Sequence, residues 1–569
     1  MRLFKSQPRT VALLCLILIF TGLGASLTQL AAAQQKRKTA RLSNEKKVKL
    51  VVGIVIDQFR YDYLQRFGDQ FAEGGFRRFL NEGAVFDNAN YIHTPTYTAC
   101  GHATFMTGAP PAQTGIIGNE WYDRALGKTI TSVSDDQGSF KSLGGRAGAR
   151  AAAPHKLLSS TLGDEMRLTT QGQAKVIGIS YKDRSAILPA GKRPNGAYWF
   201  DAATGNFVSS TYYFADLPAW MKKFNEEQHC NKYFGAKWER LLPASAYERS
   251  APDDAPYEKK FRANATFPYT LNGGEEKPGA KFYAQFDASP FANEQLVALA
   301  KAAIENESLG ADDTADLLTI SFSANDLVGH TFGPYSQEVQ DITLRTDRVL
   351  ADLFTYLDKR IGLGNVVITL TADHGVAPVP EQVQELGYGG RLNTKVVSEA
   401  VQAALSQQFG EEKWVLSVIN GNIYLDDAAI ERRKLNPAEI ENVARAAVMK
   451  IPNIAECLTR SQLMNGQFAQ TMIARSVLNG FYPQRNGNLV MVPQAYYFFG
   501  DTSLTTHGSP YRYDTHVPVL FYGAGIAAGV YHGVSSPADI APTLATLLKV
   551  QPPSNSSGRI LTEGLKVTP

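Results

Sequence analysis

Cysteine is scarce in this chain: four residues in 569. Cys15 lies in an N-terminal apolar stretch, which leaves Cys100, Cys230 and Cys457 for the folded part. An odd count excludes a complete disulfide framework, although Cys230 with Cys457 could pair in an oxidising compartment. Cys100 is expected to be a small buried residue. A surplus of charge is also missing. Of the 57 basic and 54 acidic residues, three basic and no acidic ones fall within residues 1–33, so the remainder is balanced. A polyanion partner such as nucleic acid is therefore not implied. Beyond the N-terminus no stretch is long and apolar enough to span a bilayer. No internal repeat is visible.

The N-terminus reads as a signal peptide over residues 1–33. Arg2, Lys5 and Arg9 precede the apolar run Val11–Phe20, and Ala31-Ala32-Ala33 offers an A-x-A cleavage site. The run is short for a membrane span, so no stable membrane anchor is expected; an uncleaved anchor is the alternative. The expected location is outside the cytoplasm, the periplasm in a diderm bacterium. Residues 34–48 are polar and basic, a flexible leader. Residues 49–569 exceed one simple core and read as one large domain with insertions.

Short apolar, β-branched runs mark buried parallel strands at Lys49–Ile56, Lys175–Ser180, Leu317–Phe322, Val366–Leu370 and Val517–Tyr522. Helical patterns lie between them at Tyr61–Asn81, Glu294–Asn306, Gln337–Arg360 and Pro537–Leu548. The alternation predicts an α/β fold: a mostly parallel sheet covered on both faces, a three-layer sandwich. Ligands bind such sheets at the carboxyl ends of the strands. Two stretches break the alternation, at about 190–290 and 385–500, and read as insertions capping the site; their aromatic residues could line a substrate pocket.

Asp57, Asp326, His330, Asp373, His374 and His507 are six candidate metal ligands, nearly all just after an apolar run. Asp326 and His330 are four apart and meet on one helical face. Mixed oxygen and nitrogen ligands suit zinc, and a pair of ions would clamp the attacking and leaving oxygens of a displacement. Thr98 precedes a helix-compatible run. Its type suits an N-cap, and a helix N-terminus also seats phosphate. An alcohol needs metal coordination to act as a nucleophile near neutrality. Together these point to a two-metal hydrolase of phosphate esters.

The segments IVIDQFRYDYL, TPTYTACGHATFMTG, GIIGNEWYD, ISYKDRSAILPAG, SANDLVGHTFGP, TADHG, THGSPYRYDTHVPVLFYG and ADIAPTLATLL make the chain resemble the alkaline phosphatase superfamily, and within it the phosphate-irrepressible, PafA-like phosphomonoesterases. The resemblance implies two Zn²⁺: one held by Asp57, Thr98, Asp373 and His374, the other by Asp326, His330 and His507. It implies that Thr98 attacks phosphorus and forms phosphothreonine, that Asn119 donates to a phosphoryl oxygen, and that Lys182 and Arg184 hold the remaining oxygens. Lys182 and Arg184 stand two apart after a strand-like run and can share a face. Two Zn²⁺ among three aspartates leave a charge of about +1, and this pair raises it to about +3, which draws in a monoester dianion. The expected partners are small phosphate monoesters. A nucleotide phosphodiesterase of the same superfamily is the alternative enzyme, and a non-catalytic secreted metal-binding protein the alternative of another class. The C/S-x-P-x-R pattern of type I sulfatases is absent around Cys100. His516 lies close to His507 and competes with it as a ligand; His102, one turn after Thr98, is expected to be buried and hydrogen-bonded.

Overall fold

The computed structural model describes residues 47–258, 266–500 and 502–566. The expected signal peptide and most of the leader lie outside the described residues. A ten-stranded sheet forms the centre. In chain order its strands are β1 (Leu50–Ile56), β2 (Ala84–Phe86), β3 (Ser142–Leu143), β4 (Val176–Ser180), β5 (Gly196–Asp201), β6 (Asn206–Ser210), β7 (Asp316–Phe322), β8 (Val366–Thr371), β9 (Val519–Gly523) and β10 (Gly529–Tyr531). Across the sheet the order is β10-β2-β9-β8-β1-β7-β4-β5-β6-β3. The run β8-β1-β7-β4-β5 is parallel, and β9 and β6 flank it antiparallel. Mixed edges of this kind are common on large α/β sheets.

Every residue of β1, β7 and β8 is buried. Successive side chains alternate between two cores, as the pleat requires. Val52, Ile54 and Ile56 face one core, shared with Leu350 and Phe354; Val51 and Val55 face the other, shared with Phe105 and Leu544. Six helices matter here: α1 (Thr98–Thr107), α2 (Asp183–Ala190), α3 (Pro290–Asn306), α4 (Ala324–Phe332), α5 (Gln337–Arg360) and α6 (Ile540–Leu548). Helices α3 and α5 contribute to the first core, α1 and α6 to the second, which makes three layers.

The register joins β1 to β7 from Leu50↔Asp316 to Ile56↔Phe322, and β1 to β8 from Leu50↔Val366 to Val55↔Thr371. Strands in such close step end together. The loops after β1, β7 and β8 therefore open at one rim, where Asp57, Asp326, Asp373 and His374 lie.

Four expectations change. The run Val517–Tyr522, expected as a parallel strand, forms β9, which pairs antiparallel with both β8 and β2. The helix expected over Tyr61–Asn81 is split into Asp62–Arg66, a 3₁₀ turn at Gly68–Gln70, and Phe76–Glu82. The cause is tertiary: the Asp347 carboxylate of α5 accepts from Ala72 N at 2.6 Å and Phe76 N at 2.7 Å, holding the chain out of helix there. Within residues 190–290, β5 and β6 extend the central sheet, and Phe207, Phe224, Trp238 and Phe282 fill its core. Those aromatics are structural. The expected Cys230–Cys457 pair does not form: all three described cysteines are free and buried. Cys230 packs in the core of the main sheet, whereas Cys457 packs in a separate core. That second core belongs to a four-stranded sheet, Val415–Ile419, Asn422–Leu425, Leu489–Pro493 and Ile454–Thr459, covered by helices Thr394–Phe409 and Pro437–Val448.

Candidate active site

Helix α1 begins at Thr98 and is buried along its whole length. Tyr97, not Thr98, occupies the N-cap, and the Tyr97 side chain makes no capping hydrogen bond. The threonine expected to double as a cap thus keeps its hydroxyl free of the backbone. Thr98 Oγ1 lies 3.4 Å from His374 Nε2. The close approach depends on Gly101, where a Cβ would stand 2.2 Å from the carbonyl oxygen of Asp373. Only glycine lets α1 lie against the end of β8.

The candidate ligands converge. Ligand atoms of Asp326, His330 and His507 lie within 4.8 Å of one another, and so do those of Asp57, Asp326 and His374. Asp326 Oδ1 stands 3.1 Å from His330 Nε2 and 3.8 Å from His507 Nε2. His374 Nε2 is 3.3 Å from Asp373 Oδ2 and 3.5 Å from Asp57 Oδ1. The rings of His374 and His507 stack at 3.5 Å.

The tautomers follow from the partners. His330 Nδ1 donates to Thr505 O at 2.9 Å, His374 Nδ1 to Gly375 O at 2.9 Å, and His507 Nδ1 to Thr96 O at 2.8 Å. A carbonyl only accepts, so each Nδ1 carries a proton, and in the neutral ring Nε2 then turns its lone pair toward the carboxylates. With the rings neutral, acceptors face acceptors, an arrangement that suits a cation between them. Asp57 Oδ1 and Asp373 Oδ2 are buried with no hydrogen-bond partner. This donor set fits metal ions, with backbone carbonyls fixing each imidazole from behind.

Without metal the electrostatics show the same strain. Burial, then the Asp373 carboxylate, push the Asp57 pKa well above the usual range. Burial would do the same to Asp326, but His330 and Lys182 outweigh it and hold its pKa well below that range. Burial lowers the pKa of His374, and burial with His374 and His330 drives that of His507 far down. Both rings are thus neutral and available as ligands.

Lys182 caps the start of α2 and sends Nζ to Asp57 Oδ2 and Asp326 Oδ2, each at 2.6 Å. Burial disfavours its charge, yet the carboxylates of Asp326 and Asp57 raise its pKa. Arg184 does not join the cluster. It lies in α2, its nearest carboxylate is Asp183 at 3.8 Å, and its side chain is 24% exposed. The strand-like pairing of 182 with 184 is therefore replaced by a cap and a helical residue. Asn119 Oδ1 accepts from Ala99 N at 2.9 Å, which leaves the Asn119 NH₂ as a free donor beside the start of α1. Asn420 of the inserted sheet donates to Glu120 O at 2.9 Å, tying that sheet to the Asn119 loop.

His516 is directed elsewhere: its Nε2 bonds Asp87 O at 2.9 Å and its ring stacks on Tyr61. His102 donates to Thr98 O at 2.8 Å, and its Nδ1 is 3.2 Å from Asp373 Oδ2. Gln58 was not foreseen. It takes a positive φ of 63°, donates from its backbone N to Asp373 Oδ1 at 3.1 Å, and from Nε2 to Asp326 Oδ1 at 2.6 Å. Its position directly after Asp57, at the strand end, was the available signal.

Comparison with known proteins identifies the family. A family model described as type I phosphodiesterase / nucleotide pyrophosphatase matches residues 51–516. Alkaline phosphatase PhoV of Synechococcus elongatus is 39% identical over 91% of this chain and 93% of its own. Alkaline phosphatase PafA of Elizabethkingia meningoseptica is 36% identical over 90% and 94%. The PafA crystal structure superposes with a TM-score of 0.84 over 91% of this chain and 99% of that one. The chain belongs to the alkaline phosphatase superfamily, among its PafA-like members. A Myroides odoratus relative, 38% identical over 93% of this chain and 97% of its own, carries the name calcium-transporting ATPase. Among the residues described here, no helix is long and apolar enough to cross a membrane.

Proposed function

We propose that this PafA-like protein is a secreted alkaline phosphatase that hydrolyses phosphate monoesters through a phosphothreonine intermediate. One observation carries the reading: three imidazoles and three buried carboxylates meet beside the Thr98 hydroxyl. Asp57, Thr98, Asp373 and His374 would hold one Zn²⁺, and Asp326, His330 and His507 the other. When bound, the ions supply Lewis-acid chemistry, lowering the pKa of a hydroxyl and neutralising oxygen charge. The rest falls to the chain. Thr98 attacks phosphorus and the alcohol departs; water then cleaves the phosphothreonine, releasing phosphate and restoring the hydroxyl. Asn119 donates its NH₂ to a phosphoryl oxygen, because its carbonyl is committed to Ala99. Lys182 and Arg184 add two positive charges to the remaining oxygens. Arg184 has only a long contact to give up.

Phosphoryl transfer needs in-line positioning and charge stabilisation more than covalent chemistry. A monoester dianion offers one more charge and one more free oxygen than a diester. The Lys182 ammonium beside the ligands thus favours monoesters over the nucleotide diesters that the family description also admits. Export is supported by the signal-like N-terminus, with the periplasm as destination in a diderm cell. The deciding measurement compares kcat/KM on the monoester, diester and sulfate of one leaving group, with and without a chelator. Monoester preference lost on chelation is the expected result; diester preference overturns the assignment.

A further inference from the structure

Strand β1 lies between β7 and β8 in the sheet, so the residue after Asp57 stands between the two neighbouring strand ends. That residue is Gln58, and it is buried. Asp57 N still extends the ladder, donating to Phe322 O at 3.1 Å. Gln58 then leaves the strand with a φ of 63°, a left-handed conformation strained for a residue other than glycine. Such strain persists where the surrounding contacts fix it. The turn sends one donor to each side: the backbone N to Asp373 Oδ1 at 3.1 Å, and Nε2 to Asp326 Oδ1 at 2.6 Å. A carboxylate accepts and does not donate, so the NH₂ is the end that faces Asp326. The other end lies against α4 at Gly329, where a Cβ would stand 1.9 Å from Gln58 Oε1. Gly329 directly precedes His330 on that helix, so the carboxamide rests across the Asp326–His330 pair.

These donors divide the carboxylate oxygens between the chain and the ions. Lys182 takes Oδ2 of Asp57 and Oδ2 of Asp326, and the Gln58 backbone takes Oδ1 of Asp373. Asp57 Oδ1 and Asp373 Oδ2 are left without a hydrogen-bond partner, 3.5 Å and 3.3 Å from His374 Nε2. Asp326 is held at both ends, by Lys182 on Oδ2 and by the Gln58 side chain on Oδ1. Oδ1 is also the oxygen that faces His330 and His507. With one lone pair given to Gln58, it keeps another for an ion among those rings. The two bonds of Gln58 differ in kind. Any residue but proline at position 58 retains the backbone bond to Asp373, whereas the bond to Asp326 belongs to the glutamine side chain.

We infer that Gln58 is a positioning residue for one ion, the one assigned to Asp326, His330 and His507, and that its carboxamide sets the affinity of that site by fixing the Asp326 carboxylate. The inference rests on the two-ion reading above. In its test, zinc-loaded enzyme is dialysed against graded chelator, and elemental analysis of the zinc retained yields a dissociation constant for each ion. Gln58→Gly deletes the carboxamide and relieves the positive φ. Gln58→Leu keeps the bulk and lacks the donor. In each, one constant is expected to rise about tenfold or more, the scale for losing a hydrogen bond to a metal ligand. The other should stay within about twofold of wild type. His330→Ala identifies the site: the constant it raises most must be the one that changes. Both constants unchanged in Gln58→Gly, or both raised alike, overturn the inference, even where Gln58→Leu fails to fold. Wild type that retains a single zinc at saturation overturns the two-ion reading and this inference with it. The readout is independent of turnover, so a failed phosphatase reading and a failed role for Gln58 are told apart.

Discussion

Thr98 is the residue on which turnover depends in the proposed mechanism. Thr98→Ala is expected to reduce monoester turnover by at least about a thousandfold, since no other alcohol is proposed to be activated there. Zinc content by elemental analysis should stay close to wild type, because carboxylates and imidazoles supply the remaining ligands. Lys182→Ala combined with Arg184→Ala should lower monoester kcat/KM far more than diester kcat/KM; equal losses would refute the charge argument. A different residue contributes to the pH dependence of the fold. Glu258 is fully buried and neither of its carboxylate oxygens has a hydrogen-bond partner. Burial, then Glu338, raise its pKa from 4.5 to about 9. Between those values the folded state keeps a proton that the unfolded state releases, so this group costs stability as pH rises from about 4.5 toward 9. Glu258→Gln should therefore raise the unfolding temperature at pH 9 more than at pH 5, measured by calorimetry.

At the scale of elements, the site depends on how α1 docks on β8. The β1, β7 and β8 runs are readable in sequence because both faces of a parallel sheet are covered, which makes their strands continuously apolar. The docking of α1 is not, because it rests on a missing side chain. Gly101→Ala would drive a methyl group into the Asp373 backbone, at 2.2 Å in the present geometry. Such overpacking displaces backbone. We expect at least about a tenfold fall in kcat/KM together with weaker zinc retention during dialysis. Unchanged values in both would mean that α1 can shift without moving Thr98. The split of the Tyr61–Asn81 region belongs to this scale too: the local pattern is helical, but a carboxylate 271 residues away from Phe76 holds the break.

For the whole molecule, metal and fold should be linked. Three buried carboxylates face three imidazoles, with Lys182 as their nearby ammonium. A metal that binds only the folded state adds stability. Chelation is expected to lower the unfolding temperature by several degrees, and added Zn²⁺ to restore it; a chelated protein of unchanged stability would contradict the linkage. The sequence by itself determined the sheet's central strands and the ligand residue types, because burial and metal chemistry both act through local composition. Only tertiary structure decided which imidazole nitrogen faces the site, that Lys182 joins the carboxylates while Arg184 does not, that Gln58 bonds two of them, and that Phe207, Phe224, Trp238 and Phe282 are core. Each of those depends on groups far apart along the chain meeting at hydrogen-bonding distance, and no local pattern encodes such a meeting.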